Sequence, residues 1–326
     1  MNISALHNKS WSGLLMVLFF AVAAVMLAGL PGPAAAAAQQ KSFASPEEAV
    51  TSLVAAVRAN DDKERLAILG QGARELISSG DEVADKAGRE RFLRAYDQSN
   101  SLQKGPGDSM VLHIGPDNWS MPIPIIRKGG RWVFDISKGR QEILNRRIGR
   151  NELRVIDAIQ AYVVAQQEYA TRDCSGGGRV EFAQRFISTP GSHDGLFWEA
   201  KEGEKESPLG PLIAKASERG YSKDREISLA PFHGYYFRIL EGQGKHAAGG
   251  AYNYVVKGKM ILGFALIAYP AEQGNSGVMT FMVNQEGTIY QKNLGKDTRR
   301  RAEAIKIFDP DKTWKKVGET PPKKDR

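Results

Sequence analysis

The sequence predicts an α+β protein of two domains, each with helices packed on an antiparallel sheet. Three observations carry that prediction. A length of 326 residues exceeds what one hydrophobic core usually organises, apolar residues recur at helical spacing in two separate stretches, and each stretch is followed by strand-like alternation. Helices followed by runs of short strands, with no regular alternation of the two, favour antiparallel sheets covered on one face.

Residues 1–38 precede both domains and read as an export signal. Lys9 is the single Lys or Arg there, residues 11–30 are almost continuously apolar, Pro31 and Pro33 break the run, and Ala36-Ala37-Ala38 supplies a small-x-small cleavage pattern. The mature chain is expected to begin near Gln39 and to be periplasmic or secreted, with no membrane span after cleavage. The alternative is an inner-membrane anchor left uncleaved, because the run approaches the roughly 20 residues that a spanning helix needs.

The first domain is placed at residues 39–148. Ser45, Pro46 and Glu48 form a capping-box signature, and Val50, Leu53, Val54 and Val57 follow as one stripe. Asp61 and Asp62 open a second helix that stops at Gly70. A third is expected over residues 81–98, with Val83, Phe92 and Tyr96 inward. Met110, Leu112 and Ile114 alternate with Val111 and His113, and Trp132, Phe134 and Ile136 alternate with Val133 and Asp135, so two strands flank the Lys128-Gly129-Gly130 turn. Pro122 and Pro124 restrict residues 121–126 to a sheet edge.

The second domain is placed at residues 149–310. Leu153, Ile156, Ile159, Val163 and Ala170 predict a helix over residues 151–172, ended by a glycine-rich turn. An irregular stretch to about residue 231 has room for a helix over 209–217. Strands are expected at 235–240, 252–256 and 260–268, then a hairpin of 278–283 with 288–292 around Asn284-Gln285-Glu286-Gly287. Residues 311–326 read as a basic, disordered tail.

Composition narrows function mainly by exclusion. The formal charge of +8 is concentrated in ends and turns such as Arg299-Arg300-Arg301, without the interleaved aromatics of a nucleic-acid surface. Cys174 is the single cysteine, which excludes an internal disulfide and a multi-cysteine metal site. Phosphate cradles, dinucleotide fingerprints, nucleophile elbows and zinc-protease motifs are missing, so no cofactor and no metal are expected. His113 with Asp135 is the candidate general-base pair, since a carboxylate that orients an imidazole is the minimum for such chemistry. His193, Asp194, Trp198, His233, Tyr235 and Tyr236 are the candidate binding residues, as they fall in loops joining a helix to a sheet. The competing reading makes the aromatics core and the histidines turn residues.

Three resemblances add expectations. The opening helix "SPEEAVTSLVAAVRANDDKERLAIL" followed by strands closing on "GGRWVFDI" resembles the nuclear-transport-factor or cystatin-like cone over residues 43–148, which implies a curved sheet with a pocket at its mouth. One long helix, a variable loop region and a meander ending in "GVMTFMVNQEGTIYQKNLG" resembles the soluble part of type IV pilins and pseudopilins over about 150–295. The matches "FASPEEAV", "RRIGRNEL", "AQRFISTPG", "DGLFW", "SPLGPLIA", "FHGYYFRIL" and "GGAYNYVV" resemble an exported proteobacterial family catalogued as a domain of unknown function (DUF2950-like). That family often carries an acidic turn suited to calcium; here the turn is Asp173-Cys174-Ser175-Gly176-Gly177-Gly178, with one carboxylate. Together these features point to an exported cell-envelope module for binding or assembly, its partner an envelope protein, a polysaccharide or a small ligand and not a nucleic acid. The competing reading is a periplasmic hydrolase or isomerase.

Overall fold

The chain enters its first helix through a reciprocal cap: Ser45 Oγ accepts the Glu48 N–H (3.1 Å) and the Glu48 carboxylate accepts the Ala44 N–H (2.7 Å). This helix, α1 (Pro46–Arg58), buries Ala49, Val50, Leu53 and Val54. α2 (Asp62–Leu69) is capped by Asp61, and a short α3 (Arg74–Ile77) follows. α4 (Glu82–Gln98) is capped by Asp81 and has no fully buried residue. The computed structural model describes residues 39–172, 178, 180–218, 220–221 and 230–318.

The first sheet comprises β1 (Asn100–Lys104), β2 (Ser109–Ile114), β3 (Trp119–Ser120), β4 (Ile125–Lys128) and β5 (Arg131–Phe134), in the order β1-β2-β4-β5 with β3 also on β2. All pairings are antiparallel. β4 lies between β2 and β5, and so departs from the edge position expected of residues 121–126. Pro122 and Pro124 precede the strand, so the ladder starts after the last missing N–H, while the Pro124 carbonyl accepts the Asp135 N–H (2.8 Å).

The largest departure from expectation begins at Asp135. The alternation of Trp132 and Phe134 does not continue to Ile136, because Asp135 Oδ1 accepts both the N–H (3.2 Å) and the hydroxyl (2.5 Å) of Ser137 and turns the chain into a helix. This α5 (Ile136–Thr171) has 36 residues and so extends about 54 Å. The helix expected over 151–172 is its C-terminal part, and the boundary placed at 148/149 falls inside it. Gln40–Arg326 is one compact unit holding two hydrophobic clusters. One gathers Val50, Leu53, Ile68, Leu112, Ile125 and Phe134, with Ile136 and Ile143 of α5 against it. The other includes Val155, Ile159, Tyr162, Val163 and Tyr169 of the same helix.

The second sheet covers that later part of α5. It comprises β6 (Tyr235–Leu240), β11 (Ala265–Pro270), β12 (Thr280–Asn284), β13 (Tyr290–Lys292) and β14 (Lys315–Lys316), antiparallel in the order β14-β13-β12-β11-β6. Every residue of β11 and β12 is buried, the pattern of strands covered on both faces. Two small hairpins, β7 (Gly242–Gln243) with β8 (Tyr252–Asn253) and β9 (Val255–Val256) with β10 (Lys259–Met260), and helices α6 (Gly210–Glu218) and α7 (Thr298–Ala304) complete the unit. Residues 311–318 are not the disordered tail expected of them: Trp314 is buried in the second cluster and β14 pairs with β13. Residues 319–326 and the turn around Cys174 lie outside the described residues.

Two glycines of α5 separate packing from helix propensity. A Cβ at Gly139 would stand 2.4 Å from the Pro122 carbonyl oxygen, whereas one at Gly149 meets nothing within 4 Å. Gly149→Ala is expected to stabilise by about 0.5–1 kcal/mol. Gly139→Ala is expected to destabilise by about 1–3 kcal/mol despite the same propensity gain. Urea unfolding of the two variants checks the opposite signs.

Candidate functional site: an arginine-walled cavity

Because α4 packs its apolar side without burying it completely, a cavity of about 380 Å³ is left between α4, α5 and the first sheet. Leu53 and Val57 of α1, Phe92 of α4, Met121 and Ile123 before β4, and Ile143 of α5 give it an apolar wall. The volume lies within the roughly 300–1,000 Å³ of small-ligand sites. Tyr221 and His233 reach the same cavity from the later part of the chain.

Guanidinium groups dominate the polar wall: Arg65, Arg89, Arg91, Arg147, Arg150 and Arg154 all line the cavity. They fall into two kinds. Arg147 is a fastening, donating to the carbonyls of Glu75 (2.6 Å) and Leu76 (2.8 Å) and to the Asn275 side chain. Arg65, only 5% exposed, is held by Asp62 and Asn60 while its Nε has no partner among the described residues. Arg89, Arg91, Arg150 and Arg154, by contrast, have no side-chain hydrogen bond or ion pair among the described residues.

The uncompensated charges act on one another. Burial first, then Arg91, Arg154, Arg147 and Arg146, hold the Arg150 guanidinium below its ordinary pKa, and burial followed by Arg154 and Arg94 does the same to Arg91. Arg146, Arg150 and Arg154 are also spaced i, i+4 and i+8 along α5, where like charges repel by about 0.2–0.5 kcal/mol per pair. One carboxylate shares the cavity wall, Asp85, and it is engaged by the Ser79 N–H (2.8 Å) and hydroxyl (2.7 Å).

The cavity owes its shape to a buried junction between the loop before α4 and the later part of the chain. Asp81, only 2% exposed, accepts the Ala84 N–H (3.0 Å) as the α4 cap, and its other oxygen accepts the Tyr221 hydroxyl and the Gly234 N–H, both at 2.8 Å. Asn275 adds a bond to the Ser78 carbonyl (2.9 Å). Asn151 of α5 donates to the Ser276 carbonyl (2.9 Å), and Glu152 accepts the N–H groups of Val278 and Met279, both at 2.9 Å. Gly234 takes a positive φ of 76°, and a Cβ there would lie 2.9 Å from Asn151 Nδ2, which explains a glycine at this turn.

Of the side chains singled out from sequence, His233 alone lines this cavity. It is buried, at a φ of 53°, beside Tyr221 and Phe232. Tyr236 lines a neighbouring cavity of about 390 Å³ with Asp81, Tyr221 and Phe232, under the Arg299 guanidinium and against Tyr269. Tyr235 is core, its hydroxyl donating to the Met279 carbonyl (3.0 Å). His193 stacks on Trp198 at 4.2 Å between ring centroids, and Asp194 is a loop clasp for Thr189 and Ser192. His113 meets Ser120 and the Asn118 carbonyl, while Asp135 caps α5. No hydrogen bond or ion pair joins His113 to Asp135 among the described residues. The six candidate binding residues are therefore spread over four places: the arginine-walled cavity, the neighbouring cavity, the core and the loop around Asp194.

A family model, "Protein of unknown function (DUF2950)", matches residues 40–317. The chain belongs to this family. The match covers both hydrophobic clusters and the junction around Asp81. No curated protein and no solved structure gives a significant match. Among the described residues, no group of three or more His, Cys, Asp or Glu forms a metal centre, and no helix is long and apolar enough to cross a membrane. The arginine wall of this DUF2950 protein went unread in the sequence although "RRIGRNELR" carries Arg146, Arg147, Arg150 and Arg154 at helical spacing. Ending a strand at Ile136 and starting a helix at Asn151 leaves Arg146, Arg147 and Arg150 outside any expected helix and separates them from Arg154.

Burial, opposed by its three hydrogen bonds, sets the Asp81 pKa above the ordinary carboxylate value. The folded state therefore holds the Asp81 proton at pH values where the unfolded chain has lost it, and stability falls as pH rises from about 4 through that raised value. Asp81→Asn is expected to flatten this fall relative to the parent protein. Asp81→Ala, which orphans Ala84 N–H, Tyr221 OH and Gly234 N–H, is expected to cost about 3 kcal/mol. Urea unfolding across pH 4–8 reads both effects.

Proposed function

We propose that this protein is an exported cell-envelope binding module whose ligand occupies the arginine-walled cavity. Export rests on the layout of residues 1–38. The element order of helices then an antiparallel sheet supports the cone-like reading of the first part of the chain, whose relatives place a pocket at the mouth of the sheet. The observation that carries the proposal is the incomplete cover of α4: a 17-residue helix whose side chains are nowhere fully buried stands over a cavity large enough for one small ligand.

The arginines of the wall are suited to holding a ligand and not to transforming it. Guanidinium groups stay protonated across the physiological range and so pass no proton. Asp85 is occupied by Ser79, and the pair expected to act as acid and base is divided between a β2 side chain and a helix cap. The pilin-like reading of the later part of the chain supports an assembly role beside binding, with Gln40–Arg326 presenting the cavity from one compact unit.

The neutral dye N-phenyl-1-naphthylamine tests occupancy without any charge preference. Its fluorescence is expected to rise on adding the parent protein and to fall back with Ala87→Trp, which places an indole on the cavity wall. Equal fluorescence with both proteins, or none with either, counts against a ligand-binding cavity.

A further inference from the structure

Resting on the cavity reading above, we infer that the ligand is a small amphipathic anion, its apolar body against Phe92, Met121 and Ile123 and its anionic group held by Arg91, Arg150 and Arg154. Three cations face one apolar space without a carboxylate within 4 Å among the described residues. Elsewhere on the chain arginines find partners readily: Arg58 with Asp97, Arg140 with Glu75, Arg146 with Glu142, Arg172 with Glu168 and Arg299 with Glu303. Arg74 and Arg127 also have no side-chain hydrogen bond or ion pair among the described residues, but neither lines the cavity, where Arg91, Arg150 and Arg154 stand on one wall.

Arg91 and Arg150 are exposed and Arg154 is half-buried, so water screens their mutual repulsion in the empty protein, and a bound anion turns that weak repulsion into attraction. Guanidinium groups suit carboxylate, phosphate and sulfate oxygens because their donors form a planar fork that accepts two oxygens at once. Arg65 lines the same cavity but is more than nine-tenths buried and tied to Asp62 and Asn60, so it adds positive potential to the wall and not a free donor. The apolar residues exclude an ion bound by charge alone, since Phe92, Met121 and Ile123 gain nothing from inorganic phosphate.

Competition with N-phenyl-1-naphthylamine separates the outcomes, using decyl phosphate, decanoate, decanol, decyltrimethylammonium and inorganic phosphate at fixed salt. Decyl phosphate and decanoate are expected to displace the dye about tenfold or more below the concentration that decanol needs, with decyltrimethylammonium weakest. Arg150→Gln and Arg154→Gln, with folding checked by circular dichroism, are each expected to cut the preference for decyl phosphate over decanol by about tenfold. Equal displacement by anion and alcohol, or an unchanged preference in both variants, overturns the anionic half of the inference. Inorganic phosphate binding as tightly as decyl phosphate overturns the apolar half. Failure of the dye itself to bind removes the cavity reading instead, so the two failures are told apart.

Discussion

The uninterrupted run of α5 is the constraint on which the rest of the structure depends. Its cap at Asp135 fixes where the first sheet ends, its early residues Ile136 and Ile143 close the first cluster, and its later residues Val155 to Tyr169 form the floor of the second. Because a helix repeats every 3.6 residues, Arg147, Arg150 and Arg154 share one face of this element and all line the cavity, Arg147 being fastened there to the Glu75 and Leu76 carbonyls. A break near residue 149 would uncouple these positions and leave the arginines as solvated linker charges.

The junction around Asp81 complements the helix. It brings a carboxylate, a tyrosine hydroxyl and a turn N–H together out of water, an arrangement that is favourable only when each donor and acceptor is satisfied. Asp81 serves two purposes with its two oxygens, capping α4 and tethering the Phe232–Tyr235 turn. Moving either partner would leave a buried charge partly unpaired. The cavity wall is thus set by polar bonds with definite directions, while the two hydrophobic clusters supply most of the cohesion.

Local elements were largely legible in the sequence because their signals are local. Ser45, Asp61 and Asp81 announce helix starts by side-chain capping, and the predicted strand over 235–240 coincides with β6. The site was not legible for a specific reason. Trp132, Phe134 and Ile136 keep period-two spacing two residues beyond the true strand, and the competing signal, Asp135 followed by Ser137, is a cap that outweighs the alternation. That one misplacement put a domain boundary inside a helix and hid the spacing of Arg146, Arg147, Arg150 and Arg154. The binding residues chosen in its place were aromatic and histidine-rich loops, of which Tyr235 is consumed by the core and His193 by stacking on Trp198. His233 was legible because it falls in a loop joining a helix to a sheet, where binding residues concentrate.

Hydrogen exchange across residues 146–154 tests the central claim most directly, since both the latch and the arginine wall require helix there. A continuous helix exchanges slowly there, in one protection class with residues 156–170, and more slowly still when decyl phosphate is present. Fast exchange at residues 146–151, with protection resuming only beyond them, would show a hinge in place of a continuous helix and contradict the account.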